Sequence, residues 1–419
     1  MIKFKILKAE DYCDSVRDGT HDSPKKTDSG YKLITSKHIK EYGLDLDSAY
    51  CISEKDFNKV NERSAVNIND ILYSMIGTIG LMYRVESQPN YAIKNMGLFK
   101  ISDEIKSKWL YYYLKSPKMK NYIKSLLNGS TQQYIILSNL RQIPIEMPEN
   151  EGDMKKIIKV LDLIDKKIQI NTKTNDNLEE LMQTLYQRWF IEFNFPNEEG
   201  KPYKASGGKM VWNEELKQEI PEGWKVENLY KNSLSSIIKN GVDKFEKKIY
   251  LETADITNDF ISNGNEISFN NRPSRANMQP QLNSIWFAKM KNSVKHLSLA
   301  ESSNAFVNKY ILSTGMYGLQ CDKKTFPYMH SFINSIYFES TKDKLAHGAT
   351  QQAVNDNDIK NIKIICPNNS IIEKYSNKTY SILEEKNLIQ EENKRLTELR
   401  DFLLPMLMNG QINVDDVEI

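Results

Sequence analysis

The residues of this chain best suited to chemistry are hydrogen-bond donors and cations gathered in loops, not acid–base pairs or nucleophiles. Gly19, Thr20, His21, Asp22, Ser23, Pro24, Lys25 and Lys26 form one polar, basic loop. Gly77, Thr78, Ile79 and Gly80 follow a strand candidate that contains Ser74. Asn271, Arg272, Pro273, Ser274 and Arg275 make a third loop, and Lys289, Lys291, Asn292, Ser293, Lys295 and His296 a fourth. Glycine lets a backbone approach a phosphate while neighbouring Thr, Lys and His donate hydrogen bonds. Arginine beside a proline-rigidified turn can make bidentate contact with guanine or phosphate. Lys37, Ser74 and Lys248, in or beside strand candidates of the same blocks, complete the candidate contact set. The plainer alternative is that the glycines close turns and the charges are solvated, and for any one residue that is the commoner case.

Catalytic and cofactor motifs are missing. No proline is preceded by Asn or Asp, which removes the Asn/Asp-Pro-Pro-aromatic motif of amino-methyltransferases. No GK[ST] phosphate loop and no HExxH appear, and Pro-Asp, the usual opening of a PD-(D/E)xK nuclease, does not occur. Cys13, Cys51, Cys321 and Cys366 are scattered without a CxxC pair, so neither a zinc cluster nor a disulfide framework is indicated. The pattern is that of a binding and assembly protein.

The elements that must position these loops read as two mixed blocks and two long helices. Residues 1–150 mix β-like runs (Tyr31 to Thr35, Asp70 to Met75, Gly97 to Ile101) with turns and one helical run, Lys106 to Leu127. The second block holds strand candidates at Lys248 to Thr253 and Ser284 to Ala288. Between them, Met154 to Phe193 repeats apolar residues at steps of four and three: Ile157, Leu161, Ile164, Ile168, Asn171, Asn175, Leu178, Met182, Leu185 and Trp189. That is the seam of a helix packed along a partner helix. The same spacing returns at Ile372, Tyr375, Thr379, Ile382, Lys386, Ile389, Asn393, Leu396, Arg400, Leu403 and Leu407. An offset of 218 maps Asn393 onto Asn175, Leu396 onto Leu178 and Leu403 onto Leu185. An offset of 219 maps Thr350 onto Thr131 within two Thr-Gln-Gln elements, so the chain reads as a duplication. Taken singly, Thr131 and Thr350 read first as helix caps.

At 419 residues the chain suits two globular blocks plus connecting helices. The net charge of +2 divides into +4, −3, +5 and −4 over residues 1–150, 151–222, 223–368 and 369–419. The basic blocks are those that would face phosphate, although each imbalance is small enough to arise by sampling. No apolar run reaches membrane-spanning length and no signal-peptide pattern opens the chain, so a cytoplasmic location without membrane contact is expected.

Two basic mixed blocks, each ending in Gly-x-Thr-Gln (Gly129 to Gln132, Gly348 to Gln351) and followed by a heptad helix, resemble the specificity subunit of a type I restriction-modification enzyme. The join from Arg188, Trp189, Phe190, Ile191, Glu192 and Phe193 through Pro221, Glu222, Gly223 and Trp224 is similar to that family's central region. The likeness runs from Ser15 to Gly410; the first block lacks a counterpart of Pro221 to Trp224, and the second helix carries Lys386 and Arg400 on its seam.

The resemblance implies two tandem α/β (α+β) target recognition domains, each followed by a long helix, the helices pairing as an antiparallel coiled coil in a pseudo-two-fold repeat. The expected boundaries are 1–150 and 220–368 for the recognition domains, 151–193 and 369–410 for the helices, 194–219 for a linker and 411–419 for a tail. It implies a non-catalytic subunit whose partners are double-stranded DNA, two modification (methyltransferase) subunits and restriction (translocase/endonuclease) subunits. No cofactor would be bound by this chain; S-adenosylmethionine, ATP and Mg2+ would belong to the partners. The loops Thr20 to Lys26 and Gly77 to Gly80 are expected to serve one half of a bipartite target. Asn271 to Arg275 with Lys289 to His296 would serve the other. Two alternatives stay open at this point: an enzyme with an unrecognised site, and a coiled-coil scaffold that binds protein only.

Overall fold

Runs of β-branched and aromatic residues make buried strands in both blocks; Ile71–Ser74 and Ser284–Ala288 are buried at every position, as a central strand covered on both faces must be. The computed structural model describes residues 2–40, 43–129, 133–257, 261, 264–349 and 351–412. Its chain divides into two compact units, Met1–Gln169 with Leu396–Ile419, and Ile170–Arg395. Among the described residues no helix is long and apolar enough to cross a membrane.

In the first unit we label the strands β1 (Ser15–Asp18), β2 (Tyr31–Ile34), β3 (Ile71–Ser74), β4 (Met82–Arg84), β5 (Tyr91–Ile93) and β6 (Met96–Lys100). An antiparallel sheet has the order β1-β6-β3-β4, and β2 runs parallel to β5 in a second, smaller sheet. Phe4–Lys8 pairs with Pro144–Pro148. The helical run expected from Lys106 to Leu127 is two helices, Glu104–Lys115 and Pro117–Ser125. Pro117 cannot donate a backbone hydrogen bond, so it starts a new helix, and the Ser116 side chain caps it by accepting from Met119 N.

The second unit repeats this topology with β7 (Ser235–Ile237), β8 (Lys248–Leu251), β9 (Ser284–Ala288), β10 (His296–Leu299), β11 (Tyr310–Ser313) and β12 (Met316–Cys321). The antiparallel order is β7-β12-β9-β10, and β8 runs parallel to β11. Lys225–Asn228 pairs with Lys363–Cys366, as Phe4–Lys8 pairs with Pro144–Pro148 in the first unit. The stretch expected to be a polar linker is structured: Met210–Asn213 and Gln218–Pro221 form a hairpin. Phe195 stacks on Tyr203 and on Trp224, with ring centroids 4.6 and 5.0 Å apart.

Two long helices, Glu151–Tyr186 and Asn369–Met408, carry the four-three seams. The first ends at Tyr186 in a short π-turn, Gln187–Ile191, seven residues before Phe193 where the sequence pattern placed its end. On its seam Leu161, Ile164, Ile168, Asn175 and Met182 are buried, and Leu178 and Leu185 partly so. On the other, Ile389 and Leu403 are buried and Ile382, Asn393 and Leu396 partly so.

In the first unit Ile157, Leu161, Ile164 and Ile168 share a core with Leu403, Leu404, Leu407 and with Trp109 and Tyr112. The Arg400 guanidinium donates to Asp165 at 2.9 Å, an ion pair with both side chains about nine-tenths buried. In the second unit Asn171 Nδ2 donates to Asn393 Oδ1 at 2.9 Å and to Glu392 at 2.7 Å. Farther along, Lys386 pairs with Glu179, and Met182 and Tyr186 share a core with Ile371, Ile372, Tyr375 and Leu383. The two charges that stand on the second seam therefore each meet a carboxylate of the first helix. Within each unit the partner number falls as the residue number rises, so the helices run in opposite directions.

Glu179 also receives His330 Nε2 at 2.9 Å, and His330 Nδ1 lies 2.7 Å from Ser298 Oγ. Burial alone would raise the Glu179 carboxyl, but His330 and Lys386 outweigh it and hold it well below the usual carboxylate range. Burial pushes the His330 imidazole below its ordinary value of 6.5, against the pull of Glu179.

Replacing Asp165 by Ala is expected to destabilise the first unit by about 1 to 3 kcal/mol, since the buried Arg400 loses one charge-assisted hydrogen bond but keeps Asp401, 3.0 Å from its Nη2. Replacing both members, Asp165→Leu with Arg400→Met, should cost far less in the same denaturant titration. A loss under about 1 kcal/mol for Asp165→Ala, the scale of an exposed pair, would contradict this account.

Because the folded pKa of His330 is depressed, the unfolded chain takes the proton first as pH falls. Its contribution is fully present above the unfolded value of 6.5 and is lost progressively below it. The stability of the second unit should therefore decline on acidification from about pH 7 to pH 5, and His330→Gln should flatten that decline relative to the parent. Parallel curves for the two proteins would refute the assignment.

Candidate nucleic-acid interface

Strand register decides which loops share an end of the sheet. In the first unit Asp18, the last residue of β1, faces Gly97, and Ser74, the last of β3, faces Met96. Ile34, the last of β2, lies beside Ile93 at the end of β5. The loops leaving β1, β2 and β3 therefore emerge at the same end as Lys94 and Asn95, which join β5 to β6.

The first of these loops is hydrogen-bonded to that turn. Thr20 N donates to Ile93 O at 3.1 Å, Asn95 N to Thr20 O at 3.1 Å, and Gly19 N to Met96 O at 2.8 Å. A Cβ on Gly19 would stand 2.5 Å from Ile93 O, a backbone atom that cannot move aside, so only glycine permits this approach. His21 Nδ1 lies 2.9 Å from Asn95 Oδ1 and its Nε2 3.0 Å from Asp18 Oδ2. The buried Asp18 carboxylate also takes the Arg63 guanidinium, and Lys94 Nζ meets Ser23 Oγ. Lys25, Lys26 and Lys37 are exposed, as are Gly77 and Thr78, where the left-handed φ of 77° at Gly77 suits glycine.

The equivalent turn of the second unit is Thr314–Gly315, between β11 and β12. Thr314 N donates to Arg275 O at 2.9 Å, and Lys289 N to Gly315 O at 3.0 Å. A Cβ on Gly315 would lie 2.5 Å from Thr253 Oγ1 and 3.1 Å from Arg275 Nη2. Lys295 Nζ donates to Thr253 O at 2.8 Å and to Ala254 O at 3.2 Å. Arg275, Lys289 and Lys295 thus surround one turn. Ser274 and Arg275 are exposed, as is Lys291, whose backbone N donates to Gln352 O at 2.9 Å. Lys289 stands 5.5 Å from the Tyr317 ring centroid, and burial pushes its ammonium pKa down despite Asp356.

Other expected contact residues are placed differently. His296 opens a strand instead of ending a loop; it is buried, with Nδ1 2.8 Å from Asn334 Oδ1 and Nε2 2.8 Å from Glu339 Oε1. Ser74 is fully buried and donates to Ile76 O at 3.2 Å. Both are corrections, since a side chain committed to the interior presents nothing to a surface partner. Lys248 begins β8, at the end opposite the Gly315 turn, where it donates to Val307 O at 3.2 Å and burial lowers its pKa. Arg272 is tied to its own loop: its guanidinium lies 4.1 Å from the Phe269 ring centroid and donates to Phe269 O at 2.6 Å.

Thr131, Gln132 and Thr350 lie outside the described residues. The residues that flank them are bridged alike: Tyr134 pairs with Asn128 and Ile76, and Ala353 with His347 and Met290. Sequence reasoning missed Asn95, Lys94, Arg63, Thr253 and Gly315. The available signal for two of them was a turn residue, Asn95 or Gly315, between two apolar runs. Among the described residues no group of three or more His, Cys, Asp or Glu could hold a metal ion.

The family model for the type I restriction modification DNA specificity domain matches residues 1–180. The type I restriction enzyme MjaIX specificity subunit of Methanocaldococcus jannaschii is 28% identical over 341 residues, covering 75% of this chain and 71% of that relative. The type I restriction enzyme HindI specificity subunit of Haemophilus influenzae is 22% identical over 416 residues, 84% of this chain and 88% of its own. In fold, the chain resembles the crystal structure of the type-I restriction-modification system S subunit from M. genitalium. The TM-score is 0.51 at 14% sequence identity, with 97% of this chain and 96% of that one covered.

Proposed function

We propose that this chain is a specificity subunit of a type I restriction-modification enzyme, as its likeness to the DNA specificity domain over residues 1–180 and to two such subunits supports, and that it is the DNA-recognition subunit of such a complex. The observation that carries this reading is the pair of equivalent turns, Lys94–Asn95 and Thr314–Gly315, each lined by cations and hydrogen-bond donors at one end of a like sheet. Each globular block, 1–150 and 220–368, acts as a target recognition domain for one half of a bipartite double-stranded DNA sequence. Exposed Lys25, Lys26, Lys37 and Lys291 contact phosphate, which positions the protein, while residues at the turns contact bases, which specifies the sequence.

The two long helices act as an antiparallel coiled coil that sets the spacer between half-sites and docks two modification subunits, with restriction subunits joining them. Methylation and cleavage belong to those partners, together with S-adenosylmethionine, ATP and Mg2+. The protein works in the cytoplasm. An enzyme with an unrecognised site, or a scaffold that binds protein only, has no observation in its favour.

The chain alone should bind DNA weakly and without chemistry. Each phosphate it neutralises should add about −0.9 to the slope of log affinity against log salt. Fluorescence anisotropy over a salt series measures that slope; salt-independent binding, or robust cleavage or methylation by the isolated chain, would reject the reading.

The spacer role is tested by length. Inserting seven residues between Asn171 and Asn175, matched by seven between Lys386 and Asn393, preserves the four-three seam. The pair would lengthen by about 10 Å at about 1.5 Å per residue. At about 3.4 Å per base pair that corresponds to roughly three more base pairs between unchanged half-sites, modulated by the rotation of the duplex. Methylation by the reconstituted complex would be compared on duplexes differing only in spacer. A folded, active insertion protein that keeps the original optimum would sink the spacer role.

A further inference from the structure

The two equivalent turns differ in one respect that bears on what each can recognise. Asn95 occupies a left-handed position, φ 52°, a conformation asparagine tolerates better than other side-chain-bearing residues. Its counterpart is Gly315, which has no side chain; the space that a side chain there would enter is taken by Thr253 Oγ1 and by the guanidinium of Arg275. One unit thus presents a carboxamide at this place, and the other a guanidinium.

Both groups are set up for planar, two-point hydrogen bonding. The His21 ring joins Asn95, its Nδ1 lying 2.9 Å from the carboxamide, to Asp18, whose Oδ2 lies 3.0 Å from Nε2 and whose second partner is Arg63. That chain restrains rotation of the carboxamide and leaves its other polar atom without a hydrogen-bond partner among the described residues. The Arg275 guanidinium likewise makes no hydrogen bond or ion pair to the described residues, whereas its backbone oxygen is anchored by Thr314 N. In the major groove a carboxamide matches the N6 donor and N7 acceptor of adenine, and a guanidinium matches O6 and N7 of guanine.

We propose that Asn95 reads an adenine in the half-site recognised by the first unit and Arg275 a guanine in the half-site recognised by the second. This deepens the proposed DNA-recognition function and rests on it. His21 is a positioning residue: it orients Asn95 and does not itself define the base.

The test uses the full chain assembled with its modification subunits, after the methylated target of the parent complex has been determined. Asn95→Gly removes the carboxamide at a position whose φ glycine adopts without strain, so the turn is kept. Binding is measured on duplexes in which each base pair of each half-site is replaced in turn. Asn95→Gly should lose about ten- to a hundredfold of discrimination at one A·T pair of one half-site, the range of a good bidentate contact. Arg275→Ala should do the same at one G·C pair of the other half-site only. His21→Ala should lower discrimination at the Asn95 pair, and His21→Gln, which keeps a hydrogen-bonding side chain beside the Asn95 carboxamide, should restore part of it.

Discrimination unchanged at every position in Asn95→Gly and Arg275→Ala would overturn this inference while leaving sequence-specific recognition intact. A uniform fall over both half-sites would also overturn it, since that is the signature of a phosphate contact or of a damaged fold. A parent complex that does not discriminate sequence at all would overturn the proposed function itself.

Discussion

A polar group on a buried helix seam must meet a partner on the facing helix, and in this protein that requirement decides how the two long helices pair. Leucine and isoleucine at four-three spacing are nearly indifferent to a shift of one heptad, because apolar knobs find apolar holes either way. Asp165 with Arg400, Asn171 with Asn393 and Glu179 with Lys386 are not indifferent. A heptad slip would separate each of these pairs and set Arg400 opposite Ile158 or Thr172 in place of Asp165, at a cost of several kcal/mol for a stranded buried charge. Asn175 is an exception on the same seam: it is buried and its Oδ1 has no partner among the described residues.

The register then reaches the sheets through packing. In the first unit the seam residues Ile157 and Leu161 enter the core that holds Trp109 and Tyr112, and that core includes Ile71 and Tyr73 of β3 and Phe99 of β6. In the second, Glu179 is bonded to His330 of the helix Phe326–Ile333, and His330 to Ser298 of β10. Interiors packed at crystal-like density transmit such placements with little slack. The turns at Asn95 and Gly315 are consequently held by elements contributed from far along the chain. Parallel pairing of β2 with β5 and of β8 with β11 also brings loops distant in sequence to one end of a sheet.

Much of this was legible in the residues. The four-three spacing identified both seams, and every seam residue is at least partly buried; the 219-residue offset around Thr131 and Thr350 signalled the repeated strand order seen in the two units. The loops around Thr20, Arg275 and Lys289 were found by composition. Their companions were not, because Lys94, Asn95, Thr314 and Gly315 are short links between strands, and only pairing reveals that a link faces a loop more than seventy residues away in the first unit. His296 and Ser74 were misplaced for a related reason: a polar residue at a strand end reads like a loop residue, and neither Glu339 and Asn334 nor the carbonyl of Ile76 announces itself as its partner. Lys386 and Arg400 interrupt the apolar seam in the sequence because their partners, Glu179 and Asp165, stand on the other helix.

The left-handed turn separates what the fold needs from what recognition needs. The backbone requires at Asn95 a residue that accepts positive φ, and Asn and Gly both do so. At Gly315 the demand is a missing Cβ, since Thr253 and Arg275 crowd the site. Each unit therefore satisfies the same topology while carrying a different hydrogen-bonding group at the tip, one from the turn itself and one from the loop before the strand Ala276–Met278. Exchange of the group at such a tip changes neither the strand order nor the helix register, because the strands are paired and the seams closed elsewhere. A duplicated chain can in this way keep one architecture in both units and diverge where its surface meets a partner.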